Sequence, residues 1–224
     1  MTARRWALRM CEVRYCFVGD SLTAGTGDES YRGWLADLFA DCTPPYRTFY
    51  NLGVRSNTSE DIKARFEAEC AARLPPPFDG RVAFGFGTND SAVLNGGGLR
   101  VPLASSIANA QHIFRAVARH GWQPIWLGPM PLAGAHVTYV AHSGVRYDFH
   151  EDRIAAFDRS YQQTAKELGI PYVSFYEKLC RSDAFRASLR EGDGLHPSAS
   201  GYRLVAEMLR RDGVMQRWME QPNE

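Results

Sequence analysis

Four short segments of the 224-residue chain hold the residue types that acyl-transfer chemistry needs. They are Gly19-Asp20-Ser21-Leu22-Thr23, Asn51-Leu52-Gly53, Gly87-Thr88-Asn89-Asp90 and Asp193-Gly194-Leu195-His196. A serine hydroxyl is a weak nucleophile and needs a base within hydrogen-bond reach. His196 can serve Ser21 in that role, since an unperturbed imidazole titrates at about 6.5. The imidazole in turn needs a partner that fixes its tautomer and stabilises its cation. Asp193, three residues earlier on the same tight segment, can supply it. A tetrahedral intermediate also needs donors aimed at its oxyanion. The backbone N–H groups of Ser21 and Gly53 and the side-chain amide of Asn89 are the candidates. A glycine at 53 permits close backbone approach. Asp20 and Asp90 are expected to bond nearby loop amides and hold their segments in shape.

These segments need a scaffold that brings them together. Arg14 to Val18 reads as a strand, followed by helical spacing over Glu29 to Asp41. Tyr46 to Val54 reads as a second strand. Asn57 with Glu60 resembles a capping box, and Ile62, Phe66, Cys70 and Leu74 continue a helix that Pro75, Pro76 and Pro77 stop. Val82 to Phe86, Pro124 to Leu127 and Tyr172 to Phe175 read as further strands. Helices marked by Leu103 to Val117, by Ile154 to Leu168 and by a last run beginning near Pro197 separate or follow them. Strands alternating with helices predict an α/β fold: a three-layer α/β/α sandwich around a mostly parallel five-stranded sheet. Ligands in such folds bind beyond the carboxyl ends of the strands. Three of the four segments follow predicted strands, and the fourth precedes the last helix. The segment 129–150 has no clear periodicity and is expected to be a binding loop or lid.

Composition narrows the function classes. Hydrophobic residues make up 45% of the chain and charged ones 23%, which supports a packed core and one domain over residues 1–224. With 26 basic against 25 acidic residues, no electrostatic case exists for a nucleic-acid partner. No stretch is apolar enough for stable membrane insertion. Arg4 and Arg5 are followed by no apolar leader, so the reading is a cytoplasmic protein with reduced thiols. The odd separation of Cys11 and Cys16 disfavours their pairing on a strand. His136, His142 and His150 share one segment but match no compact ligand pattern, so no metal and no cofactor are expected. The expected partner is a small-molecule ester. A nucleotide-binding module is the rival of another class. Its signals are weak: Gly19 to Thr26 lacks a terminal Gly-Lys-Ser/Thr, and Asp90 stands where a dinucleotide fingerprint has its third glycine. Gly-x-Ser-x-Gly is absent, which argues against an α/β-hydrolase.

The four segments, in this order, resemble the blocks of the GDSL, or SGNH, family of esterases and acylhydrolases. The resemblance runs from Gly19 to His196 and extends to Pro197 and the helix after it. It implies a flavodoxin-like fold and Ser21 as nucleophile. It also implies Gly53 and Asn89 beside the Ser21 amide in the oxyanion hole, and His196 with Asp193 as the base pair. It allows simple esters, carbohydrate O-acetyl groups, thioesters and lysophospholipids as substrates. Val54-Arg55-Ser56-Asn57-Thr58 departs from the family's common Gly-rich form. Trp34, Tyr147 and Phe149 are candidate pocket residues.

Overall fold

The computed structural model describes residues 12–40, 42 and 47–220. Five parallel strands form the main sheet: β1 (Val13–Gly19), β2 (Arg47–Gly53), β3 (Asp79–Gly85), β5 (Gln123–Leu127) and β8 (Tyr172–Val173). Their order is β2-β1-β3-β5-β8. The chain therefore crosses one way from β1 to β2 and the other way from β1 to β3. The crevice outside the carboxyl ends at this reversal is where such sheets bind ligands. β1 is central there, with Gly19 level with both Gly53 and Gly85.

Alternation along β1 explains the layers. Val13, Tyr15 and Phe17 point into one core, with Trp34, Leu35 and Leu38 of α2 (Gly33–Leu38). The same core takes Tyr202, Val205 and Leu209 of α8 (Ala199–Arg211) and Met215 and Trp218 of α9 (Gly213–Met219). Cys16 and Val18 point into the opposite core. It is completed by Ile62, Phe66 and Cys70 of α3 (Ser59–Ala71), Ile113 and Phe114 of α4 (Leu103–His120), and Phe157 and Tyr161 of α5 (Glu151–Leu168). The sheet is buried on both faces, as parallel sheets require. α1 (Ser21–Ala24) is a single turn leaving β1. α6 (Phe175–Leu179) and α7 (Asp183–Arg190) fill the connection after β8.

Several expectations need correction. The segment 129–150 is not an aperiodic lid. It contains the antiparallel hairpin β6 (His136–Val140) and β7 (Arg146–His150), joined by β4 (Val93–Leu94) into a second, three-stranded sheet. Val137 and Phe149 face inward onto Ala92, Leu132, Ile154 and Leu195. The helix read over Glu29 to Asp41 is confined to α2, and Asp41 and Tyr46 lie outside the described residues. The strand read over Tyr172 to Phe175 ends at Val173, and Phe175 opens α6. The capping box on α3 is Thr58 with Asp61, one residue later than the Asn57–Glu60 reading. The Asp61 carboxylate accepts from the Thr58 amide at 2.8 Å and from its hydroxyl at 2.7 Å. Cys16, Cys42, Cys70 and Cys180 are free thiols, and Cys11 lies outside the described residues.

Candidate active site

Ser21 is the first residue of α1, directly beyond the carboxyl end of β1. Asp20 caps that turn: its Oδ1 accepts from the Leu22 amide at 2.9 Å. This capping presents Ser21 at the head of a helical turn, where its own N–H has no intrahelical acceptor. Gly53 ends the neighbouring strand against the same turn. A Cβ at 53 would lie 2.7 Å from the Ala24 Cα and 2.8 Å from the Asp20 carbonyl oxygen, so only glycine lets α1 dock there.

His196 reaches Ser21 from the segment before α8. Its Nε2 lies 2.8 Å from Ser21 Oγ, and its Nδ1 lies 2.6 Å from Asp193 Oδ2. Asp193 Oδ1 also accepts from the backbone amides of Leu195 and His196, at 2.9 and 2.8 Å. Burial works against the Asp193 anion, but the His196 ring and the two amides outweigh it and hold the pKa at about 2. An ionised Asp193 only accepts. Nδ1 therefore carries hydrogen, and Nε2 offers its lone pair to the Ser21 hydroxyl.

Asn89 lines the same cleft as Ser21 and His196. Its amide is oriented from both ends: Nδ2 donates to Asp20 Oδ2 at 3.1 Å, and Oδ1 accepts from Arg100 at 3.2 Å. An amide nitrogen has two hydrogens, so one is left for a ligand. The Gly53 amide is already engaged, donating to Asn51 Oδ1 at 3.0 Å. For it to serve an oxyanion as well, that bond must be shared or broken. Two buried carboxyls support these parts. Burial raises Asp20 to about 6 against the pull of the Leu22 amide, His196 and Asn89. Burial also raises Asp90 to about 6, although it accepts from the Ser59 amide and hydroxyl and from Ser106.

One positioning residue was not singled out in the sequence. Arg65 on α3 donates to the carbonyls of Gly19 and Leu52, both at 2.9 Å, and to Asn57 Oδ1 at 2.7 Å. It ties together the strand ends that carry Ser21 and Gly53. An arginine on an amphipathic helix reads as a solvated residue, so the sequence gives no signal of this. Of the candidate pocket residues, Tyr147 and Phe149 line the cleft with Arg55, Ser56, Tyr139 and Leu195. Trp34 instead sits in the core, its Nε1 donating to the Leu22 carbonyl. The rings of His136 and His150 lie 4.5 Å apart across the hairpin, tilted by 33°, but no group of three or more His, Cys, Asp or Glu among the described residues could hold a metal ion.

The model of the GDSL-like lipase/acylhydrolase family matches residues 17–204. The chain belongs to that family. Among solved structures, it is similar to a lipase/acylhydrolase from Enterococcus faecalis, at 20% identity and a TM-score of 0.68, with 95% of this chain and 99% of that one covered. It is also similar to a catalytic mutant of Axe2, an acetylxylan esterase from Geobacillus stearothermophilus, at 20% identity and a TM-score of 0.66 over 95% and 99% of the two chains. These likenesses show the three-layer α/β/α fold that GDSL proteins share. A Bacillus subtilis (strain 168) protein named "Uncharacterized lipoprotein YqeF" is 25% identical over 190 residues, covering 75% of this chain and 74% of that protein. No helix among the described residues of this GDSL-family chain is long and apolar enough to cross a membrane.

Proposed function

We propose that this chain hydrolyses small carboxylic esters through an acyl-enzyme on Ser21. The observation that carries the reading is the unbroken hydrogen-bond chain from Ser21 Oγ through His196 to Asp193. Ser21 Oγ attacks the ester carbonyl carbon as Nε2 takes its proton. The carbonyl oxygen becomes an oxyanion facing the Ser21 amide and the free hydrogen of Asn89 Nδ2, with the Gly53 amide beside them. The imidazolium, held by Asp193, then gives its proton to the leaving alkoxide. In the second half, Nε2 takes a proton from water, hydroxide adds to the acyl carbon, and Ser21 leaves with its proton restored.

The cleft holds about 200 Å³. That is below the roughly 300–1,000 Å³ of typical drug-sized ligand sites, which favours a short acyl group. A second reading, removal of O-acetyl groups from carbohydrate, has support from the tyrosine rings of the wall and from the acetylxylan esterase among the structural neighbours. Acetate release from acetylated xylo-oligosaccharides, compared with p-nitrophenyl acetate, separates the two. We also place the protein inside the cell, where its free thiols stay reduced. Fractionation of the native host checks this, and recovery in the membrane pellet would align it with the lipoprotein relative instead.

The hydrolase reading is tested by p-nitrophenyl acetate turnover and fluorophosphonate labelling of the wild type and Ser21→Ala, with intact mass on both. Activity and a single adduct, both lost in a folded Ser21→Ala, are expected. Equal turnover by the two proteins would place the nucleophile elsewhere.

A further inference from the structure

The turn after β2 puts a cation at the mouth of the cleft. Arg55 lines the pocket that contains Ser21 and His196. Its guanidinium has one hydrogen bond, to the Tyr139 hydroxyl at 3.3 Å, and it has no ion-pair partner among the described residues. The turn is nevertheless held in place. The Val54 amide donates to the Gly19 carbonyl at 3.0 Å, and the Asn57 amide donates back to Val54 at 3.2 Å. Ser56 takes a left-handed conformation, with φ 64°. Its carbonyl is gripped by Arg100 at 2.8 Å.

Arg100 adds a second cation behind the same wall, against lining residues Ser56, Asn89 and Tyr147. It spends its donors on the neutral oxygens of Ser56 and Asn89, and its guanidinium lies 5.4 Å from the centre of the Tyr147 ring. Among the described residues, no carboxylate lines the cleft. The acidic groups nearby are committed elsewhere. Asp61 near Arg100 is the α3 cap, bonded to Thr58. Asp148, between Tyr147 and Phe149, is engaged by Arg146, Thr138 and His136. Asp193 is bound to His196. Arg55 thus presents a fork of donors to the pocket that holds Ser21, with no anion paired to it among the described residues.

We propose that Arg55 is a specificity-determining residue that selects esters bearing an anionic group, carboxylate or phosphate, near the reacting carbonyl. The inference rests on the Ser21 hydrolase reading and narrows its substrate class. A guanidinium pairs with either anion through two parallel hydrogen bonds, and a charge-assisted bond is about twice as strong as a neutral one. Tyr139 orients the side chain, and Arg100 adds to the positive potential.

The test compares kcat/KM for 4-acetoxybenzoate and 4-acetoxyphenyl phosphate with that for phenyl acetate, and for the p-nitrophenyl monoester of adipate with that for p-nitrophenyl hexanoate. The first two place carboxylate and phosphate on the alcohol side, with phenyl acetate as their neutral control, and the adipate monoester places carboxylate on the acyl side, with the hexanoate as its neutral control. Wild type, Arg55→Gln, Arg55→Lys and the remote surface variant Arg211→Gln are measured at low and high salt. The anionic-to-neutral ratio in at least one arm is expected to fall roughly tenfold in Arg55→Gln. Arg55→Lys should retain part of it, Arg211→Gln all of it, and salt should shrink it in the wild type. The arm that responds identifies the anion and its side. Ratios that are the same in wild type and Arg55→Gln in every arm overturn the inference while leaving the hydrolase intact. Turnover of every ester at the Ser21→Ala background overturns the hydrolase reading and this inference with it.

Discussion

Ser21, Gly53 and Asn89 stand at or just beyond the ends of three adjacent strands of the parallel sheet, whereas Tyr139, Tyr147 and Phe149 stand on a hairpin belonging to a different sheet. The first group is tightly bonded. Asp20 ties the Leu22 amide to Asn89, Arg65 ties Gly19 to Leu52, and His196 and Asp193 continue the network at 2.6–2.8 Å. The wall is more sparsely bonded. Tyr139 and Tyr147 are half-buried, and Arg55 is exposed with a single 3.3 Å hydrogen bond. The difference assigns two tasks. In the proposed hydrolysis the strand ends, the floor of the cleft, would fix the geometry that acyl transfer requires, and the hairpin with the turn after β2, its wall, would shape what enters.

On this division, damage to the floor should lower kcat, and damage to the wall should change substrate preference. The largest loss is expected from Ser21→Ala, on the order of 10⁶ in kcat for a folded protein. Asp193→Asn should cost about 10⁴ by favouring the wrong imidazole tautomer, with KM little changed. A drop of less than tenfold in stopped-flow turnover would remove Asp193 from the network. Asn89→Ala should lower kcat by about 10²–10³, as loss of one oxyanion donor does. A change confined to KM would move Asn89 from the floor to the wall.

The carboxyls of the floor should also separate by pH. Asp193 has a lowered pKa, so the stability it contributes is present above the unfolded value of about 3.9 and is lost as pH falls through about 2. Asp20 and Asp90 run the other way. They retain protons that the unfolded chain has released, so their contribution is full below about pH 4 and is lost as pH rises through about 6. Urea midpoints between pH 4 and 7 should fall with rising pH in the wild type by more than in Asp90→Asn. Identical slopes would place Asp90 in contact with water. The smallest effect is expected at the helix that carries Arg65. Thr58→Ala removes the cap of α3 and should cost about 0.5–2 kcal/mol in chemical denaturation, with kcat unchanged.

The convergence of Ser21, Gly53, Asn89 and His196 was legible from residue types, because each type suits a distinct part of the proposed chemistry and their segments follow strands or precede the last helix. The sheet was legible because Arg14 to Val18, Val82 to Phe86 and Pro124 to Leu127 are short, mostly apolar runs that each end at a glycine. The hairpin is not legible in the sequence because His136-Val137-Thr138-Tyr139-Val140 alternates over only five residues. Its pairing with Arg146–His150 is a long-range fact that periodicity does not report. Asn57 and Thr58 are both capping types one residue apart, and the backbone decides which carboxylate closes the box. α6 and α9 are too short to show a helical period, and in α7 the period rests on Phe185 and Leu189 alone among its apolar residues of any size. Arg55 stood in the sequence only as part of a departure from a glycine-rich pattern. Its place on the wall follows from the turn at Ser56.

The two sheets share no hydrogen-bond ladder among the described residues, and the hairpin turns at Gly144 on the surface. Insertions, deletions or exchange of residues 141–145 would therefore leave every ladder of the parallel sheet intact. Descendants of this chain can diversify their diet by rewriting one surface hairpin while inheriting the reaction centre unchanged, and a protein engineer can graft there for the same reason.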